Sequence, residues 1–143
     1  MFESLPPPTI FAHRGASNYG PENTLAAFEL AVRQGAHAIE LDAKLSSDRQ
    51  VVVIHDQSVD RTTQGRGRVR DLSLEQLKQL DAGSFFDSGF AGERIPSLDE
   101  VFASFGKRIY INVELTNYAT PLDALPRQVA TLVRKHSLEE MVM

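Results

Sequence analysis

Side chains able to move protons, bind cations or neutralise phosphate recur at the ends of apolar, β-prone runs. His13 and Arg14 follow "TIFA", Glu40 and Asp42 lie in "AIELDAKL", His55 follows "VVVI", and Glu114 lies in "YINVELT". Residues two apart in a strand point to the same face. Glu40, Asp42 and Lys44 therefore project together, opposite Ile39, Leu41, Ala43 and Leu45, and Asn112, Glu114 and Thr116 project together, opposite Ile111, Val113 and Leu115. Carboxylates facing a shared interior repel one another and are costly to bury unless a cation or proton neutralises them. Three oxygen donors in a chain without cysteine suit a hard cation, Mg²⁺ or Ca²⁺, better than zinc. Two histidines beside such a cation suit acid–base chemistry on a phosphodiester. One takes the proton from the nucleophile and the other protonates the leaving alcohol, while the cation and Arg14 neutralise the phosphoryl oxygens. Blander readings stand beside this one: a histidine ending a strand is commonly structural, and a strand carboxylate is commonly solvent-facing or paired with a basic residue.

The elements that must position these residues alternate. The strand "TIFAHRG" leads into a helix, "NTLAAFELAVRQG", with Asn23 or Thr24 as N-cap and Gly35 as its stop. "AIELDAKL" and "VVVIHD" are joined by a short polar connection, "SSDRQ", and are expected to pair as a hairpin. "SLEQLKQLDAG" and "SLDEVFASFG" read as helices opened by capping boxes, Ser73 with Gln76 and Ser97 with Glu100. "RIYINVELT" is a strand, "LPRQVATLVRKHS" a helix with Pro126 in its first turn, and "MVM" the start of a further strand. Strand followed by helix, repeated, predicts an α/β fold of parallel (β/α) units, in which ligands bind at the C-terminal strand ends.

Residues 57–95 break the rhythm and read as a loop and helix insertion. In it "TQGRGR" is expected to be a plain turn, since no helix opens directly after it. Arg61, Arg66, Arg68 and Arg70 read as a solvated basic loop that would attract anions if it lay near a phosphate site. Phe85, Phe86 and Phe90 are expected to pack locally, and His37 and His136 are assigned no catalytic role.

With 143 residues the chain suits one domain, and a net charge of -4 argues against nucleic-acid binding. The absence of cysteine excludes disulfides and thiolate chemistry. "MFESLPPPTI" lacks the basic and apolar regions of a secretory signal, and no stretch approaches the roughly 20 apolar residues of a membrane helix. A cytoplasmic location without stable membrane insertion is the expectation.

The ordered series "HRG…PENT…ELD…HD…RTT", continued by "RIPSLDEVF" and "INVEL", resembles the N-terminal signature of the glycerophosphodiester phosphodiesterases, from about Ile10 to Leu115. The resemblance implies a TIM-type (β/α)₈ barrel that hydrolyses glycerophosphodiesters to an alcohol and glycerol 3-phosphate. It implies His13 and His55 as the acid–base pair, Glu40, Asp42 and Glu114 as ligands of Mg²⁺ or Ca²⁺, and Arg14 as a phosphate contact. Glu22 of "PENT" would support Arg14 or the metal site. One departure is Thr116, where the family often has lysine, so a cation beside the site is either lost or supplied elsewhere. An eight-unit barrel takes ~250 residues, so residues 1–143 are expected to form one partial domain, about the first half of the barrel. A half-barrel leaves a free strand edge and an apolar face, which predicts homo-oligomers through those surfaces. The alternatives are a truncated, catalytically incomplete module that binds a metal or phosphate or self-associates, and a related phosphodiesterase cleaving lysophospholipids.

Overall fold

The computed structural model describes residues 7–116 and 124–143; the opening residues 1–6, read above for leader features, lie outside it. Among the described residues four strands and four α-helices follow in the expected order: β1 (Phe11–His13), α1 (Leu25–Arg33), β2 (Ala38–Leu45), β3 (Val51–Val53), α2 (Leu74–Gln79), α3 (Leu98–Phe105), β4 (Tyr110–Leu115) and α4 (Leu125–His136). The fold is α/β, and β2 is its central strand. One edge of β2 pairs in parallel with β4 from Ala38–Tyr110 to Ala43–Leu115. The other edge is shared end to end: β1 pairs with Ala38–Glu40 in parallel, and β3 pairs with Ala43–Leu45 antiparallel, as the short polar connection predicts. Beyond β4, Met141 and Met143 form backbone hydrogen bonds with Ile111 and Val113, so "MVM" makes an isolated parallel bridge to β4 at Val142, short of the strand its sequence predicts.

The local chemistry explains where helices start and stop. Thr24, rather than Asn23, caps α1: its side chain accepts from Ala27 N, and Gly35 follows the helix at φ 79°, where a residue without Cβ is favoured. Both predicted capping boxes form, at Ser73–Gln76 and Ser97–Glu100. Helix α2 is shorter than its pattern and ends at Gln79, because Leu80 turns extended. That turn delivers Asp81, whose carboxylate accepts from the backbone of Gly83, Ser84 and Gly92 and organises the following loop.

The main core lies between the sheet and α1, α3 and α4. Ile39, Leu41, Ala43 and Ile111 meet Phe28, Phe102 and Phe105, and Phe28 and Phe105 pack edge to face with centroids 6.0 Å apart. Residues 57–95 close over a smaller cluster, in which Val59, Val69, Leu77, Ala82 and Ile95 cover Val52 and Ile54. "TQGRGR" is a turn, as expected, closed by Gly67 N donating to Asp60 Oδ1. The phenylalanine expectation holds only in part: Phe86 and Phe90 pack edge to face, while Phe85 and Phe86 remain exposed.

The polar face of β2 is also covered. Every residue from Ala38 to Lys44 is buried, so Glu40, Asp42 and Lys44 sit inside the protein rather than on a solvated face. Phe28→Ala should cost about 3–5 kcal/mol, since it removes a fully buried ring and leaves a cavity. Phe86→Ala should stay within about 1 kcal/mol. Urea unfolding of both variants checks the contrast.

Candidate active site

The sheet register gathers the acidic residues. His13 pairs with Glu40, Glu40 with Asn112, and Asp42 with Glu114, so His13 at the end of β1 and Glu114 near the end of β4 stand beside the acids in the middle of β2. One carboxylate oxygen from each of Glu40, Asp42 and Glu114 lies within 4.8 Å of the others. Glu40 and Asp42 are buried and Glu114 is exposed, so the cluster opens at the β4 side.

The loop after β1 closes one side of it. Arg14 (φ 56°) and Asn23 (φ 58°) both adopt the left-handed conformation, which costs a side-chain-bearing residue about 1–3 kcal/mol and persists where surrounding bonds impose it. Here Asn23 N donates to Arg14 O at 3.0 Å, Arg14 N donates to Glu40 Oε2 at 3.0 Å, and Asn23 Nδ2 donates to Asp42 Oδ2 at 2.9 Å. Gly15 lets this loop lie against α1, since a Cβ there would meet the Ala27 backbone at 2.8 Å. The guanidinium of Arg14 lies 3.4 Å from Asp42 Oδ2 through Nε and 3.2 Å from Glu22 Oε1 through Nη1. Glu22 thus stands on the far side of Arg14 from Asp42. His13 projects outward, largely exposed, with Nε2 3.8 Å from Glu40 Oε2.

His55 lies just past β3 with Nδ1 2.7 Å from Asp56 Oδ1. Arg61, from the basic loop, is not a free anion trap. It bonds both Glu22 and Asp56. Arg66 and Arg70 pair outward with Asp60 and Asp71. His37 accepts from Ile10 N at 3.0 Å, and His136 lies 2.8 Å from Asp99 beside the Phe102 ring, both in structural settings.

Residues 13–137 match the glycerophosphoryl diester phosphodiesterase family. The chain belongs to this family. A glycerophosphodiester phosphodiesterase of Caldanaerobacter subterraneus subsp. tengcongensis is 45% identical over 135 residues, which cover 94% of this chain and 56% of that protein. A glycerophosphodiester phosphodiesterase of Agrobacterium tumefaciens superposes with a TM-score of 0.86 at 40% identity, covering 94% of this chain and 55% of that one. An Oleispira antarctica phosphodiesterase in complex with the product sn-glycerol-3-phosphate superposes with a TM-score of 0.85 at 36% identity, covering 94% and 54%. The chain spans about half the length of the curated relatives it matches. In family terms its strands are the opening strands of a TIM barrel.

Within that framework the electrostatics of the cluster take on meaning. Burial holds the Glu40 carboxyl above the usual carboxylate range, with the neighbouring Asp42 and Glu114 charges acting the same way against the Arg14 amide and His13. Glu40 Oε1 is buried and accepts no hydrogen bond. A buried carboxylate oxygen without a donor, beside two further carboxylates, fits a hard divalent cation.

Two residues that sequence reasoning left in the background belong to the site. Asn23 looked like a spare helix cap and instead holds Asp42. Lys44 is 2% exposed, and its Nζ donates to both the carbonyl and the hydroxyl of Thr116. Burial lowers its pKa, while Asp42, Asp56 and Glu114 oppose that shift. Lys44 thus brings an amine from the neighbouring strand to Thr116, where the family often has lysine. The alternation of "ELDAK" already placed Lys44 on the acidic face, which was the available signal.

Asp56 is held down to about 2, chiefly by its hydrogen bond to Arg61, and Glu22 is lowered by the same guanidinium. A depressed carboxylate contributes stability above its unfolded pKa of about 4 and loses that contribution as pH falls through its folded value. Stability should therefore decline from about pH 5 to pH 2, and Asp56→Asn should flatten that limb. Parallel acid limbs for the two proteins in a series of urea melts would contradict the assignment.

Proposed function

We propose that the protein hydrolyses glycerophosphodiesters to an alcohol and glycerol 3-phosphate with the help of Mg²⁺ or Ca²⁺. The observation that carries the reading is the carboxylate cluster of Glu40, Asp42 and Glu114, with Glu40 Oε1 left without a partner and Arg14 and His13 at its rim. Family membership and a structural neighbour holding sn-glycerol-3-phosphate support it. Glu40, Asp42 and Glu114 would hold the cation, which supplies positive charge to the phosphoryl oxygens when bound.

The chain's own residues account for the rest. Arg14, braced by Glu22 and by its own left-handed backbone, presents a guanidinium whose planar fork matches phosphate oxygens. His13 and His55 serve as the acid–base pair, because imidazole carries protons in either direction near neutral pH. One removes a proton from the attacking oxygen, of water or of the substrate's own glycerol hydroxyl, which bonds to phosphorus as the P–O bond to the alcohol breaks, and the other protonates the departing oxygen. Where the glycerol hydroxyl attacks, water then opens the cyclic phosphate to glycerol 3-phosphate. His55 is oriented by Asp56, which takes up its Nδ1 and leaves Nε2 for proton exchange. Lys44, whose charge is disfavoured by burial and favoured by Asp42, Asp56 and Glu114, would limit the repulsion of the cluster as an ammonium.

Release of glycerol 3-phosphate from glycerophosphocholine should require Mg²⁺ or Ca²⁺ and stop with a chelator. His13→Ala and His55→Ala should each lower kcat by roughly 10²–10⁴-fold. Activity that survives His13→Ala undiminished would remove that residue from the mechanism. Faster cleavage of a lysophospholipid than of its deacylated form would move the substrate class to lipids.

A further inference from the structure

We propose that Arg61 is a positioning residue that ties the phosphate contact Arg14 to the acid–base residue His55, by gripping one carboxylate from each of two loops. The inference rests on the roles given to Arg14 and His55 above and adds a residue those roles do not include.

The geometry is a double fork. Arg61 Nη1 and Nη2 donate to Glu22 Oε2 and Oε1, both at 2.8 Å, and Nε and Nη2 donate to Asp56 Oδ2 and Oδ1 at 2.7 and 3.0 Å. Each carboxylate has a second duty. Glu22 Oε1 also accepts from Arg14 Nη1, and Asp56 Oδ1 also meets His55 Nδ1. A continuous chain of charge-assisted bonds therefore runs from His55 through Asp56, Arg61 and Glu22 to Arg14, whose Nε lies 3.4 Å from Asp42 Oδ2 as an ion-pair contact. Glu22 comes from the loop after β1 and Asp56 from the segment after β3, so one guanidinium fixes two loops against each other.

A rigid planar fork is the group that can do this. Lysine could neutralise both carboxylates but could not set the plane of either. The plane matters at Asp56, because the oxygen facing His55 is also the one bonded to Arg61 Nη2. With that oxygen held as an acceptor, the His55 proton is kept on Nδ1 and the lone pair on Nε2. The Arg61 side chain is 46% exposed, and half-exposed ion pairs add little to stability. Replacing it should therefore disturb orientation without unfolding the chain.

The test compares Arg61→Gln, Arg61→Lys and Asp56→Asn in the full chain. Long-range ¹H–¹⁵N spectra at about pH 8 report the tautomer of each neutral imidazole, with His55 assigned by its loss in His55→Gln. The unaltered protein should show His55 with its proton on Nδ1. Arg61→Gln and Asp56→Asn should both shift it to a mixture with the Nε2-protonated form, and Arg61→Lys should fall between. In glycerophosphocholine turnover, Arg61→Gln should lose about 10–100-fold in kcat, the range found when a supporting partner is removed. Added to Asp56→Asn, the same change should cost less than about threefold more, since one connection is already cut. An unshifted His55 tautomer in Arg61→Gln, or losses that multiply fully in the double variant, would overturn the proposal. Absence of turnover in the unaltered protein would overturn the hydrolase reading alone, because the tautomer measurement needs no substrate and still decides the role of Arg61.

Discussion

The parallel pairing of β2 with β4 sets Asp42 beside Glu114, and the nearest pair on the same face sets Glu40 beside Asn112. Pleating then turns all three carboxylates to one side of the sheet, inside the protein for Glu40 and Asp42. Negative charges forced together in this way must be compensated, and much of the surrounding structure supplies that compensation. Arg14 approaches from one side with both its amide and its guanidinium, Asn23 donates an amide, and Lys44 contributes an ammonium from the same strand. The compensation stops short at Glu40 Oε1, the one carboxylate oxygen among the described residues that is buried and without a donor. Protein groups offset much of the charge of the cluster and leave one buried carboxylate oxygen without a donor, a setting whose chemistry suits a hard cation.

The same constraint explains the irregular backbone nearby. Two consecutive demands fall on the loop after β1: it must bring a guanidinium to Asp42 and then start a helix on the outside of the sheet. Left-handed conformations at Arg14 and Asn23 reverse the chain sharply enough to do both, and Gly15 permits the close contact with α1 that results. Helix α1 then contributes Phe28 to the core, so the loop that shapes the site also seats the helix that supports the sheet.

Much of this was readable in the sequence. Period-two alternation in "AIELDAKL" and "YINVELT" put the acids on a common face, and the capping boxes at Ser73 and Ser97 marked two helices correctly. What the sequence withheld was mostly register and rotamer. Nothing in "PENT" distinguishes an asparagine that caps a helix from one that reaches a carboxylate on another strand; the choice was made by Thr24 reaching Ala27 N and by the turn at Asn23. Arg61 looked like part of a solvated basic run, because the two carboxylates it bonds lie 39 and 5 residues away. Lys44 was placed on the right face, yet its role depended on Thr116, 72 residues on, standing opposite its ammonium.

The register-built cluster is proposed to be a single cation site. Diffraction from crystals soaked in Mn²⁺ or Ca²⁺, with anomalous scattering to locate the metal, tests it most directly. One strong peak is expected in contact with a carboxylate oxygen from each of Glu40, Asp42 and Glu114, at about 2.0–2.6 Å. A peak bound elsewhere, or an empty cluster at saturating metal, would contradict it.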